Sequence, residues 1–459
     1  MPKSKSNNLS IHFVGIGGIG ISALARWFLA QGWIVGGSDL AKSALTEELQ
    51  KEGVRVRIGH KKSNLPKDAN MVVYSNAVTP GSAGYVEFEE AEKRGIRPMS
   101  YPQTLGCLTE VYKTIAIAGS HGKSTTTALI GLALKNSSID PTVVVGTKLK
   151  ELNGKNFHLG KTKWLVLEAD EWRGAFLHYH PDIAVVTNID KEHLDFYKDL
   201  NDLKKTFLKF LARTKPGGSL VLNGDDKNLF SLSPLIQKIA KKGSLKIFWY
   251  TLKDKKAAEK IRKNLQLPGI HNLSNAMAAA TVMERILKLK EYFVLKELGK
   301  YQGAWRRMEY RGDMKMASKK TKVFDDYAHH PSEIRATLQA FREKFPKSNI
   351  VCVYQAHQAK RLKALYKEFT SAFSDADSLV FLPTYEVAGR DNKEKQFTSE
   401  KLAHDILKKE PGKKVIYLSN PKQIKKTVSE ILETKEAENS VVIMMGAGTV
   451  VEYTPLLLS

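Results

Sequence analysis

Cysteine is almost absent from this chain. Cys107 and Cys352 are the only two in 459 residues, far apart and without ligand-like spacing, which argues against a disulfide framework or a zinc site. A reduced, cytoplasmic setting is the resulting expectation. Long apolar runs are missing too: none approaches a membrane span, and the basic residues near Met1 have no apolar signal core behind them. Acidic residues are scarce beside basic ones, 48 against 72, for a net charge of +24. Such an excess can mark a nucleic-acid binder. Here the lysines are scattered over helix faces and loops, as in Lys238-Ile-Ala-Lys-Lys242, with no aromatic-interleaved stripe. The expectation is a solvated basic surface, with part of the charge in clefts for anionic nucleotides, and no nucleic-acid partner. Solenoid-period repeats and low-complexity tracts are also lacking.

What the chain does contain is a succession of short β-branched apolar runs alternating with helical patterns, which predicts an α/β protein with largely parallel sheets. The length allows two to four domains. Three blocks can be drawn. The first, residues 1–110, carries a glycine-rich loop, a helix from Ile21 to Ala30, a strand from Trp33 to Gly36 and another from Met71 to Tyr74. The second, 111–302, has strands Trp164 to Glu168, Ile183 to Asn188, Ser219 to Asn223 and Ile247 to Tyr250. The third, 303–459, reads as doubly wound, with strands Lys322 to Asp326, Asn349 to Gln355, Ser378 to Leu382, Lys414 to Leu418 and Ser440 to Met445. Helices from Pro331 to Phe345 and from Pro421 to Thr434 lie between them; proline suits a first helical position.

Two loops carry the chemistry. Gly15-Ile-Gly17-Gly18-Ile-Gly20 follows an apolar run and opens a helix, with Asp39 about twenty residues on, the dinucleotide fingerprint in its proper context. Alone it suggests an NAD site, but any diphosphate ligand, a UDP-sugar included, would satisfy it. The second loop, Gly119-Ser120-His121-Gly122-Lys123-Ser124-Thr125, again runs from strand to helix and is shorter than the usual phosphate loop, with Ile117 where that pattern has its first glycine. Both loops present backbone N–H groups and a helix dipole to an anion. Only the second has a lysine to neutralise a transferring phosphoryl group and a serine able to ligate Mg²⁺. Glu168, at the end of an apolar strand, supplies a metal carboxylate, and His193, beyond the strand ending at Asn188, could ligate a second metal.

Taken together, Gly119 to Thr127, Glu168-Ala-Asp-Glu171, Asn188-Ile-Asp-Lys-Glu-His193 and His271-Asn-Leu-Ser-Asn275 resemble the Mur ligases, ATP-dependent amide-forming enzymes of peptidoglycan precursor synthesis. Ile11 to Gly20 and Asp325-Asp-Tyr-Ala-His-His-Pro331 look like the branch that adds L-alanine to UDP-N-acetylmuramate. A related branch attaches a recycled tripeptide to the same sugar, and the Gly-Ile-Gly-Gly-Ile-Gly loop favours the first. The resemblance implies a Rossmann-like UDP domain, a central P-loop domain with a mixed sheet, and a Rossmann-like C-terminal domain. It assigns Lys123 and the loop from Gly119 to Thr125 to ATP, and Ser124, Glu168 and His193 to Mg²⁺. His271, Asn272 and Asn275 would contact the nucleotide, as would Arg307 and Asp326 from the third block. Tyr327, His357 and Arg361 would line the amino-acid site, while Gly15, Gly17, Gly18, Gly20, Asp39 and His60 would hold UDP. Ala356 and Gln358 stand where proline and arginine are expected, which leaves alanine, glycine and serine open. Phosphoryl transfer to the lactyl carboxylate would give an acyl phosphate for the amine to attack, with closure of the third block onto the second. The chain is expected to act as a monomer or homodimer.

Overall fold

The computed structural model describes residues 9–193, 196–315, 320–386, 396–434 and 439–459. It contains three sheets. The chain gathers into two compact units: residues 1–192, 199–264 and 274–301 form one, and 193–198, 265–273 and 302–459 the other.

Unit one holds the first two sheets. The first is built from β1 (Ser10–Val14), β2 (Ile34–Asp39), β3 (Arg55–Ile58), β4 (Met71–Tyr74) and β5 (Met99–Ser100) in the order β3-β2-β1-β4-β5, all parallel. Strand order reverses between β1 and β4, so the loop after β1 opens at the switch point where such sheets take ligands. The second strand starts at Ile34, one residue after the predicted Trp33, and ends at Asp39. Glycine is what the packing there demands, since a Cβ on Gly37 would lie 2.6 Å from the Phe13 carbonyl oxygen. The helix between β1 and β2 begins at Ile19, two residues before the predicted Ile21.

The second sheet comprises β6 (Lys113–Ala118), β7 (Thr142–Leu149), β8 (Lys155–His158), β9 (Trp164–Glu168), β10 (Ile183–Val186), β11 (Ser219–Asn223) and β12 (Lys246–Tyr250), ordered β12-β11-β10-β6-β9-β7-β8. Only β8 is antiparallel, to β7, so the sheet is mixed. Strand β10 stops at Val186, short of the predicted Asn188, because Thr187 and Asn188 turn their side chains to the adjacent phosphate-type loop. The helix Ile19–Ala30 reaches this sheet through buried Arg26, which bonds Asn156 on β8 and, at 2.8 Å through Nε, Glu52. A buried guanidinium persists only with such partners.

Unit two is a single sheet, β13 (Glu309–Met314), β14 (Lys320–Asp326), β15 (Asn349–His357), β16 (Ser378–Tyr385), β17 (Lys414–Tyr417) and β18 (Asn439–Met445), ordered β13-β14-β18-β15-β16-β17. All pairs are parallel except β13 with β14. Strand β15 shows why its sequence is apolar without alternation. Ile350, Cys352, Tyr354 and Ala356 enter one core with Ile334, Leu338, Phe341 and Leu402, while Val351 and Val353 enter the other with Ile424, Val428 and Leu432. Helices cover both faces, the doubly wound arrangement. The predicted helix over Pro421 to Thr434 is a 3₁₀ turn, Pro421–Gln423, followed by an α-helix, Ile424–Glu433.

Candidate active site

The first glycine loop is a backbone device with no cation in it. Gly15, at φ +80°, and Ile16 both donate N–H bonds to the Ser38 carbonyl, at 2.8 and 3.0 Å. A side chain on Gly15 would strike Ser75, and one on Gly20 would come within 3.0 Å of the Tyr101 hydroxyl. Gly17 donates to Asp39 Oδ2 at 2.7 Å. Asp39, expected to face the ligand, therefore commits one carboxylate oxygen to shaping the loop. Gly18 caps the helix without a side-chain bond, leaving first-turn N–H groups for an anion. His60 lies just beyond β3, with Nδ1 3.1 Å from both Glu87 Oε1 and Ser38 Oγ.

The second loop is braced from the neighbouring strand β10. Ser120 N–H donates to the Asn188 carbonyl at 3.1 Å, His121 N–H donates to Asn188 Oδ1 at 2.9 Å, and the His121 carbonyl accepts from Thr187 Oγ1 and Asn188 Nδ2. His121 Nε2 lies 3.0 Å from Asp190 Oδ2. Gly119 and Gly122 have φ of +135° and +82°, so only glycine sits there unstrained. A side chain on Gly122 would also collide with the amide of Asn275, so that expected nucleotide contact is packed directly against the loop.

Lys123 opens the helix Lys123–Lys135 with its ammonium folded back on the loop. Nζ donates to the Gly119 carbonyl at 2.7 Å, to Ser120 O at 3.3 Å and to Glu171 Oε2 at 2.8 Å. Burial works to strip its proton, but Glu171 and Asp170 outweigh that and hold the pKa above the ordinary lysine value. Ser124 Oγ donates to Glu168 Oε1 at 3.1 Å, and Gly146 N–H to Oε2 at 2.8 Å. Burial raises the Glu168 pKa despite Lys123. Two hard oxygen donors, one a half-buried carboxylate, suit a divalent cation. His193 belongs to unit two, where its φ of +54° starts a turn whose carbonyl accepts from Phe196 and Tyr197 N–H. The sequence alone assigns no role to Glu171, Asn188 and Asp190, although all three sit in motifs that mark the family. Nothing in the sequence says that Lys123 folds onto Glu171.

Within unit two, Asp326 is buried and both of its carboxylate oxygens accept hydrogen bonds. Oδ2 accepts from Met308 N–H at 2.8 Å, and Oδ1 accepts from Ala328 N–H at 2.9 Å and Thr337 Oγ1 at 3.3 Å. In this structure it fixes the turn bearing Arg307, whose neighbours Arg306 and Met308 have positive φ. Arg307 stacks on the Tyr327 ring at 5.2 Å and lies 3.8 Å from Glu333. Arg306, unremarked in the sequence, is buried and donates to the Gly446 and Gly448 carbonyls. Tyr327, His329, His357 and Tyr385 form a run of ring contacts, with Arg361 Nη1 3.5 Å from His357 Nδ1. The predicted amino-acid residues are thus brought together, with His329 and Tyr385 added. Asn272 bonds the Pro268 carbonyl at 2.7 Å, and His271 lies against Gly269.

Fold and site together define a multidomain α/β nucleotide-type enzyme with one bare and one lysine-bearing phosphate loop. Family models agree along the length: the Mur ligase family catalytic domain matches residues 10–113, the Mur ligase middle domain 117–283, and the Mur ligase glutamate ligase domain 306–448. A protein of Sulfurihydrogenibium sp. named UDP-N-acetylmuramate–L-alanine ligase is 38% identical over 97% of this chain and 96% of its own. One of the same name from Aquifex aeolicus is 34% identical, covering 96% and 95%. The solved UDP-N-acetylmuramate-alanine ligase of Thermotoga maritima superimposes with a TM-score of 0.76 at 24% identity, covering 98% of each chain. This chain belongs to the Mur ligase family, and is an ATP-dependent, amide-forming ligase.

Proposed function

We propose that this enzyme joins L-alanine to the lactyl carboxylate of UDP-N-acetylmuramate, with ATP converted to ADP and phosphate. The observation that carries the reading is the contrast between the loops: one offers backbone alone, the other adds Lys123 beside the Ser124–Glu168 pair. The names borne by its relatives supply the substrates.

The first loop holds the UDP diphosphate through free N–H groups at the start of the helix Ile19–Ala30. The second holds ATP, where Lys123 exchanges Glu171 and the Gly119 carbonyl for phosphate oxygens. Ser124 and Glu168 fit Mg²⁺, which when bound supplies charge neutralisation at the phosphates. A lactyl carboxylate oxygen forms a bond to the γ-phosphorus as the bond to ADP breaks. The neutral amine of alanine then attacks the acyl carbon, and phosphate departs, taking up the proton that the amine gives up. Such chemistry needs positioning and charge neutralisation, not a covalent protein nucleophile. For unit two we assign Arg307, set by the turn that Asp326 fixes, to a phosphate oxyanion, and Tyr327, His357 and Arg361 to the amino acid.

Phosphate release from ATP with UDP-N-acetylmuramate is the test, comparing alanine, glycine, serine and a tripeptide. Alanine is expected to give the highest kcat/KM. Preference for the tripeptide would move the enzyme to the recycling branch, and release independent of every acceptor would remove the assignment.

A further inference from the structure

One buried carboxylate on the rim of the first sheet takes no part in the chemistry above. Glu87, on the helix Tyr85–Lys93, has no exposed surface. Its Oε2 accepts from His12 Nε2 at 2.7 Å and from Ser38 Oγ at 2.8 Å. Its Oε1 accepts from Asn64 Nδ2 at 2.9 Å, His60 Nδ1 at 3.1 Å and the Lys61 N–H at 3.3 Å. Five donors thus converge on one carboxylate. Burial alone would raise its pKa, but the bonds from His12, His60 and Asn64 outweigh burial and hold it at about 2. Glu87 is therefore ionised at neutral pH and can only accept.

An acceptor-only neighbour decides where His60 carries its proton. Ser38 Oγ gives its hydrogen to Glu87, so toward His60 it too is an acceptor. Nδ1 of His60 must hold the hydrogen, and in the neutral ring Nε2 is left with the lone pair. Nε2 has no hydrogen-bond partner among the described residues and, unlike His12 Nδ1, is not sealed from solvent. The residue before it, Gly59, bonds the Asp39 carbonyl at 2.8 Å, which puts His60 on the same C-terminal rim of the sheet as the first glycine loop. Ligands of open parallel sheets bind along that rim.

We infer that Glu87 is a positioning residue that locks His60 in the Nδ1–H form, so that Nε2 accepts from an imide N–H and selects a uracil base over cytosine. The inference rests on the reading that this loop holds a uridine diphosphate. Uracil presents N3–H to such an acceptor. Cytosine presents a lone pair at the same position, so it loses the bond and sets two lone pairs against each other. Glu87→Gln places an amide NH₂ where it can donate to His60 Nδ1, which moves the ring proton to Nε2 and removes the basis of selection.

The test uses the full-length protein at about pH 8. Two-bond nitrogen–proton correlations of histidine-labelled protein, assigned with His60→Gln, are expected to show Nδ1–H in the wild type and Nε2–H in Glu87→Gln. Calorimetric titration with UDP and CDP is expected to give a wild-type preference for UDP of roughly tenfold or more. In Glu87→Gln that ratio falls to near one, while ADP binding at the second loop is unchanged. A merely structural role would weaken both nucleotides alike. An Nε2–H wild-type ring, or an unaltered UDP:CDP ratio in Glu87→Gln, overturns the inference. If Glu87→Gln does not fold, the wild-type spectrum and wild-type ratio decide it, a ratio near one counting against. Failure of the wild type to bind UDP at all would instead remove the ligand reading beneath it, and the spectrum would still report the lock.

Discussion

The two glycine loops share a backbone plan and differ in what their carboxylates hold. In the first, Asp39 grips a backbone N–H, that of Gly17, and the loop carries no cation of its own. In the second, Glu171 grips the Lys123 ammonium, while Glu168 takes the Ser124 hydroxyl and the Gly146 N–H. A carboxylate spent on the backbone makes a fixed cradle that a diphosphate can enter without displacing anything. A carboxylate spent on an ammonium keeps a charge in reserve that an arriving phosphate must win. The first arrangement suits a substrate that is held, and the second a substrate that is consumed. On the roles proposed above, regular glycine spacing is a poor guide to where reaction occurs, since the better match to a known fingerprint is the loop assigned to the held substrate.

The comparison breaks most readily at Lys123. Lys123→Ala should lower kcat/KM for ligation by on the order of 10²–10³, the usual cost of removing one preorganised donor from developing charge. Calorimetric UDP affinity should stay within about twofold, an effect below 0.5 kcal/mol. Parallel loss of UDP binding would show that the loops are not separate ligand sites. A smaller effect is expected from Glu171→Gln, which leaves a shape-matched acceptor but no charge beside a half-buried ammonium. Nucleotide-free stability should fall by about 2 kcal/mol, read from a denaturant midpoint, and saturating ADP should restore part of it. Asp39→Ala removes the acceptor for Gly17 N–H and should weaken UDP binding by about 1 kcal/mol, with ADP affinity unmoved. If ADP binding weakens as much as UDP binding, the carboxylate is acting on the whole unit, not on its own loop.

Much of this contrast was legible in the sequence because the two loops are contiguous. Strands β9 and β11 were read with their observed ends, since both are apolar runs buried on two faces and closed by a polar residue. Strands β3, β5, β7, β8 and β13 are not legible there. Arg55-Val-Arg-Ile58 and Glu309-Tyr-Arg-Gly-Asp-Met314 carry charges because they lie at sheet edges, where one side meets solvent and pairing, not apolarity, makes the strand. The Glu87 cluster escaped for another reason. His12 and Glu87 are 75 residues apart in sequence, and no local spacing links a histidine in an apolar strand to an acid in a polar helix. Glu171 lay inside a quoted motif, but its role depends on the rotamer of Lys123, which is a tertiary fact.

A drift of unfolding midpoint with pH sets the first loop's support against the third sheet. Glu87 has its folded pKa drawn down to about 2 from an ordinary 4.5, so its contribution is complete above 4.5 and lost as pH falls toward 2. Asp325 runs the other way. Burial lifts it from 3.8 to about 6 against the Thr454 hydrogen bond and Arg311, so its contribution is present below 3.8 and lost as pH rises through 6. Relative to wild type, Glu87→Gln should therefore be destabilised most at neutral pH, with the gap closing below about pH 4.5. Asp325→Asn should gain on the wild type between about pH 4 and 6 and hold that gain above it. Urea midpoints across that range, followed by a probe in each unit, separate the two. If both variants changed with the same sign, the two buried carboxylates would not be in the opposed environments that their partners define.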